Sequence, residues 1–247
     1  MIEHLLMPLD RQFEDGFGVV ASSFEEAAKN LAEANKSRPM GFGHMHLPIF
    51  FLYRHAIELY LKSMILIAHR RLKLPNAAGT YEPNPKIPVN GKERELHNTH
   101  DINALYAFFK KITADNRGPL MAMTGKHKTD WSNTPKELDD AVAFVGDTDM
   151  SSTFFRYPTT KDKAGDLAKS GYKAATFEEV VKEANEERVP GRPGGVTLLM
   201  KDDNDNIVEA FTLDRDPMPE LKENLLTVAK YLSGASFGMR ATLTEGF

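Results

Sequence analysis

Residues 47–72 read LPIFFLYRHAIELYLKSMILIAHRRL, and the fold turns on how that stretch is understood. Apolar side chains recur on nearly every face of a helical wheel, which describes a central helix covered by neighbours rather than a surface one. Its most apolar part, 47–67, is long enough to be weighed as a membrane span. Arg54, His55, Glu58 and Lys62 lie near the centre, however, and each charge at mid-bilayer costs about 2.5–3.5 kcal/mol. The stretch therefore reads as a buried helix of a soluble protein. Residues 1–8 show no basic start followed by an apolar run, so no signal peptide is expected and a cytoplasmic location follows as the default.

The polar residues of this helix are not scattered. Arg54, Glu58 and Lys62 stand four apart and form one charged line on an apolar rod. Such pairs contribute about 0.2–0.5 kcal/mol each when exposed, and a solvated stripe is the plain reading. The other reading turns the line into a polar groove between helices, where it binds an anion or another subunit.

Outward from this helix, Ser23-Phe24-Glu25-Glu26 has the form of a capping box and predicts a helix over 24–36, ended by Pro39. Residues 75–91, rich in proline, read as a loop. Asp101 is the expected N-cap of a helix over 102–112. Residues 116–132 read as irregular, and Thr134-Pro135-Lys136-Glu137 predicts a second capping box opening 135–145. Thr176-Phe177-Glu178-Glu179 caps a short helix to about 188. The β-rich runs 196–200 and 207–213 then flank a polar hairpin tip. A last helix is expected over 218–232, with Gly234 as its stop. The assembly expected is mainly α: an antiparallel helical bundle over 1–158 and 214–247, with a small α+β insertion over 159–213 that contains a β-hairpin.

Composition narrows the chemistry. The chain has 247 residues, 41% of them hydrophobic, which is ordinary for a globular protein. It has no cysteine, which excludes disulfides, thiolate metal sites and a cysteine nucleophile. Its formal net charge of -4 disfavours a sequence-independent nucleic-acid coat while leaving room for a local basic patch.

Three short motifs in order bear a likeness to a known family. Residues 54–65, RHAIELYLKSMI, resemble the second helix of HEPN (higher eukaryotes and prokaryotes nucleotide-binding) domains, with glutamate four residues before lysine. Thr99-His100-Asp101-Ile102 is similar to the family's Thr-His-Asp-Leu opening of the third helix, and Arg156-Tyr157-Pro158 to its Arg-Tyr-Pro segment. The resemblance implies an antiparallel bundle, often a homodimer, and nucleic-acid or nucleotide binding in a bacterial toxin, stress or phage-defence setting. Many members are metal-independent RNases whose site is an arginine followed, after four to six residues, by histidine. Two pairs here fit that spacing, Arg38 with His44 and Arg94 with His100. The first spans a glycine-bearing connector, whereas the second stands directly before a helix. In such a site the histidine moves a proton at a ribose hydroxyl while the arginine stabilises charge on phosphate.

The candidate site residues are accordingly His100 and Arg94 for catalysis, and Arg54, Lys62 and Arg156 for an anion or nucleic acid. Glu58, Asp101 and Tyr157 are their structural partners. A structural reading stands beside each role: Asp101 caps, His100 packs, Tyr157 packs, and Arg156 pairs with a carboxylate such as Glu58. No cofactor and no metal are expected. His44 with His46, and His97 with His100 and Asp101, could be metal ligands only if separate motifs closed on one another. The acidic tip 202–206 lacks the central glycine of a calcium loop, and the glycines of 191–195 lack the ending of a phosphate loop. The partners expected are a second copy, RNA or a nucleotide, or a protein docked on a non-catalytic scaffold, and no membrane.

Overall fold

The computed structural model describes residues 7–36, 45–76, 78–125, 128–150, 152–185 and 196–244. It is mainly helical, with eight α-helices among the described residues and two small antiparallel sheets. Helix α1 spans Phe17–Lys36 and α2 spans His46–Leu72. Every residue of α2 from Ala56 to His69 is buried. The central position read from the sequence is therefore met: α2 packs against α1, against α3 (Ile102–Asp115), and against α8 (Pro219–Leu243), the last helix.

Burial moved several boundaries. Helix α1 begins well before Ser23, because Phe17 and Val20 pack on the core and Ala21 is buried within it. Ser23 is thus interior, and its Oγ donates to the Val19 carbonyl at 3.1 Å instead of capping. Helix α8 likewise runs through Gly234, since Met239 and Leu243 are fully buried and continue the apolar stripe.

The stretch 75–91 is more than a loop. Strand β1 (Lys86–Val89) pairs with β2 (Lys92–Glu95) around Asn90-Gly91, whose positive φ values of 50° and 75° suit a two-residue hairpin turn. Ile87 and Val89 point into the core. Asp101 caps α3 as expected, accepting the Ala104 N–H at 2.9 Å. A short helix α4 (Arg117–Met123) lies within the segment read as irregular. Helix α5 covers Lys136–Thr148, but Pro135 is its N-cap and no capping box forms. Thr134 Oγ1 instead bonds Asp139 Oδ1 at 3.0 Å.

The insertion holds one strand more than the hairpin. After α6 (Lys163–Ala168) comes β3 (Tyr172–Ala175), then α7 (Phe177–Asn185), β4 (Thr197–Lys201) and β5 (Ile207–Leu213). The strand order is β3-β5-β4, all antiparallel. The capping box at α7 is real: Thr176 N donates to Glu179 Oε2 at 2.7 Å and Glu179 N to Thr176 Oγ1 at 3.2 Å. Asp202 Oδ1 ties the hairpin tip by accepting the Asn204 and Asn206 N–H groups. His46 joins the insertion to α2 through a bond of 2.9 Å between its Nε2 and the Lys169 carbonyl.

A buried ion pair ties α8 to the segment before α1. Arg240 of α8 meets Glu14, whose side chain is fully buried. Gly18 lies against this pair: a Cβ there would collide with Arg240 Nη2 and come 3.0 Å from Ser63 Oγ, whereas a Cβ at Gly234 would meet nothing. Glycine to alanine inside a helix ordinarily gains about 0.5–1 kcal/mol. Gly234→Ala is expected to show that gain in urea unfolding. Gly18→Ala is expected to lose stability instead, by about 1–3 kcal/mol, because it displaces a buried guanidinium from its carboxylate.

Candidate functional site

The four-residue spacing of Arg54, Glu58 and Lys62 puts them on one face of α2, and that face points inward. Their side chains are 1%, 1% and 3% exposed. The solvated-stripe reading is thereby replaced by a closed polar network. Glu58 Oε2 receives Arg54 Nη1. Its Oε1 receives Lys62 Nζ at 2.9 Å and His100 Nδ1 at 2.9 Å. Arg54 Nη2 also donates to the His100 carbonyl at 2.5 Å, and its Nε stands 3.0 Å from Asp149 Oδ2 as an ion pair. Lys62 Nζ also donates to the His97 carbonyl at 3.1 Å, 5.9 Å from the centre of the Phe17 ring.

The charges balance before His100 is counted: Arg54 and Lys62 oppose Glu58 and Asp149. Burial alone would raise the Glu58 carboxyl, but Lys62 and Arg54 outweigh it and hold the group down to about 2. An ionised carboxylate can only accept, so the proton of the shared bond sits on His100 Nδ1. With Nδ1 so occupied, Nε2 of the neutral ring is left as the acceptor. The His100 side chain is 47% exposed, in contrast to everything beneath it.

The other candidates fall in three places. Arg94 lies on β2 opposite Ile87 with its side chain exposed, and among the described residues no hydrogen bond or ion pair joins it to His100. Arg156 is exposed and does not pair with Glu58, whose carboxylate is already filled; its guanidinium instead lies 5.7 Å from the Phe51 ring. Tyr157 is 56% exposed rather than packed. Asp101 is taken up in capping. Arg38 and His44 lie outside the described residues.

Asp149 and the carbonyls of His97 and His100 were not singled out from the sequence. A carbonyl leaves no trace in residue type, and Asp149 belongs to no motif. Among the described residues no three His, Asp or Glu side chains gather as a metal site. A cavity of about 460 Å³ opens elsewhere, between the end of α2 and α3, lined by His69, Leu74, Glu82, Phe108 and Lys111. None of the network residues lines it.

No helix among the described residues is long and apolar enough to cross a membrane. Comparison with protein-family models, curated proteins and solved structures finds no match to this chain.

The network gives a stability signature. Glu58 titrates near 2 in the folded chain against an ordinary 4.5, so its contribution is present above pH 4.5 and is lost as pH falls toward 2. Glu58→Gln is expected to flatten the acid limb of stability over that window, by up to about 3 kcal/mol. Glu58→Ala, which strands two buried cations, is expected to cost about 3–5 kcal/mol at pH 7 in chemical unfolding.

Proposed function

We propose that this chain is a HEPN-like antiparallel helical bundle that binds RNA or a nucleotide and uses His100 as a metal-independent acid/base on a phosphodiester. One observation carries the reading: a buried, ionised Glu58 holds His100 Nδ1 at 2.9 Å while the histidine side chain remains 47% exposed. A carboxylate in that position fixes the tautomer and ring orientation and leaves Nε2 as the atom that takes a proton. The ribose 2′-hydroxyl is the proton donor that an RNA substrate offers. Arg54 and Lys62 are buried and turned inward onto Glu58 and the His100 and His97 carbonyls, so they act as positioning residues and leave phosphate to other cations. Arg94, exposed six residues before His100 and without an ion pair among the described residues, is the cation assigned to it. The setting that goes with this reading is a cytoplasmic homodimer in bacterial toxin, stress or phage defence, as the motif resemblance implies.

A second reading has its own observation. On the insertion, Leu198 and Met200 are exposed on one face of β4 and Leu199 on the other, and Val208 of β5 is exposed as well. Such a surface suits a non-catalytic scaffold that dimerises or docks a protein partner.

RNA cleavage in EDTA separates the two. Wild-type protein is expected to cut single-stranded RNA, His100→Ala to lose about 100-fold or more in rate, and Arg94→Ala to lose activity with its fold intact. His100 is half exposed, so its substitution is expected to leave a cooperative melting transition. A well-folded wild type that leaves RNA intact moves the assignment to the scaffold.

A further inference from the structure

Beside the network, α2 carries a second ordered array. The Phe24 ring of α1 meets the His55 ring edge-on, with centroids 4.5 Å apart. His55 stacks parallel to Phe51, at 5.8 Å and an interplanar angle of 4°. The Arg156 guanidinium continues the series 5.7 Å from the Phe51 centroid. Burial pushes the His55 imidazole below its ordinary value, so at pH 7 it stacks as a neutral ring.

The far end of this ladder is held firmly and left open. Asp149 Oδ1 accepts the Phe154 N–H at 2.9 Å, and Arg156 N bonds the Thr153 carbonyl at 3.1 Å. Phe154 and Phe155 are buried, and Phe155 packs edge-on against Phe50. The next two side chains, Arg156 and Tyr157, are thereby put on the surface. No carboxylate pairs with Arg156 among the described residues, so a planar cation and a phenol ring stand exposed on a rigid turn. Arg54, one turn beyond Phe51, grips both Asp149 and the His100 carbonyl. A single buried guanidinium therefore fastens the turn that bears Arg156 to the segment that bears His100.

We propose that Arg156, backed by the Phe51–His55–Phe24 stack and flanked by Tyr157, is a stacking subsite for an unpaired nucleobase whose phosphate the same guanidinium neutralises. This rests on the nucleic-acid reading above and specifies its substrate as unpaired. Bases stack on aromatic rings and on arginine planes alike, and such contacts tolerate any base because every base has a π-face. A duplex, with its bases already stacked, gains nothing there.

The test is fluorescence anisotropy with a labelled 2′-O-methylated oligoadenylate, which lacks the hydroxyl that cleavage requires. An abasic ribose-phosphate oligomer of equal length is the control. Arg156→Lys keeps the charge and loses the plane. Tyr157→Ser, at an exposed position, removes the flanking ring without touching the core. Both variants are expected to weaken binding of the base-bearing oligomer about fivefold or more, and to leave the abasic oligomer bound as by wild type. Competition by AMP shows whether a free nucleotide or a strand supplies the base, and either source supports the subsite. Equal wild-type binding of the two oligomers, no binding at all, or variants indistinguishable from wild type would overturn it. The cleavage assay reads independently: base-dependent binding without His100-dependent cleavage removes the catalytic reading alone, and cleavage without base-dependent binding removes the subsite alone.

Discussion

A carboxylate buried in the middle of an apolar helix sets the terms for everything near it. An isolated ionised group there is untenable, so Glu58 must be neutralised by partners with good geometry. Arg54 and Lys62, one turn to either side, supply the charge. Each cation then has donors left over, which must also be satisfied in a dry interior. Arg54 spends them on Asp149 and the His100 carbonyl, and Lys62 on the His97 carbonyl. Three chain segments far apart in sequence are thus drawn to one point by the requirement that these buried cations meet carboxylates and carbonyls.

That requirement ties together three stretches that the sequence reading singled out separately. Residues 54–65 carry Arg54, Glu58 and Lys62; residues 99–102 carry His100 and the α3 cap; and Arg156-Tyr157-Pro158 begins at the end of the turn that Asp149 secures, with Arg156 on it. The last of these stands outside the network itself. Its position depends on the network through Asp149, which bonds both the Arg54 guanidinium and the backbone of the turn.

The sequence made the central helix legible because an apolar pattern on all faces has only one stable environment in water. It also made the Asp101 cap and the α7 capping box legible, since both are satisfied by residues within four positions. Helix ends decided by packing were not: Ser23 has the right neighbours for a cap, yet Phe17 and Val20 find core contacts that extend α1 past it. Gly234 reads as a stop, but helix α8 continues because Met239 and Leu243 have a core to fill. The Asn90-Gly91 turn was readable in principle, with Ile87 and Val89 alternating before it, but proline density masked the signal. In the site, the i, i+4 line was visible while its direction was not, because spacing alone does not distinguish an inward face from an outward one. Asp149 was invisible for the same reason that long-range partners generally are.

Burial also decides what each charged residue of the site can do. A cation buried and turned inward is out of a ligand's reach, whatever its charge, and withdrawing it from Glu58 would leave a naked carboxylate in the core. Arg54 and Lys62 therefore act through geometry: they keep Glu58 ionised and in place, and Glu58 in turn keeps the proton on His100 Nδ1. Of the groups the network positions, those that can meet a solute are the outer face of His100 and, on the secured turn, Arg156. A half-exposed imidazole at the edge of such an interior has its orientation already fixed by the fold, which is the preorganisation that the proposed chemistry at His100 calls for.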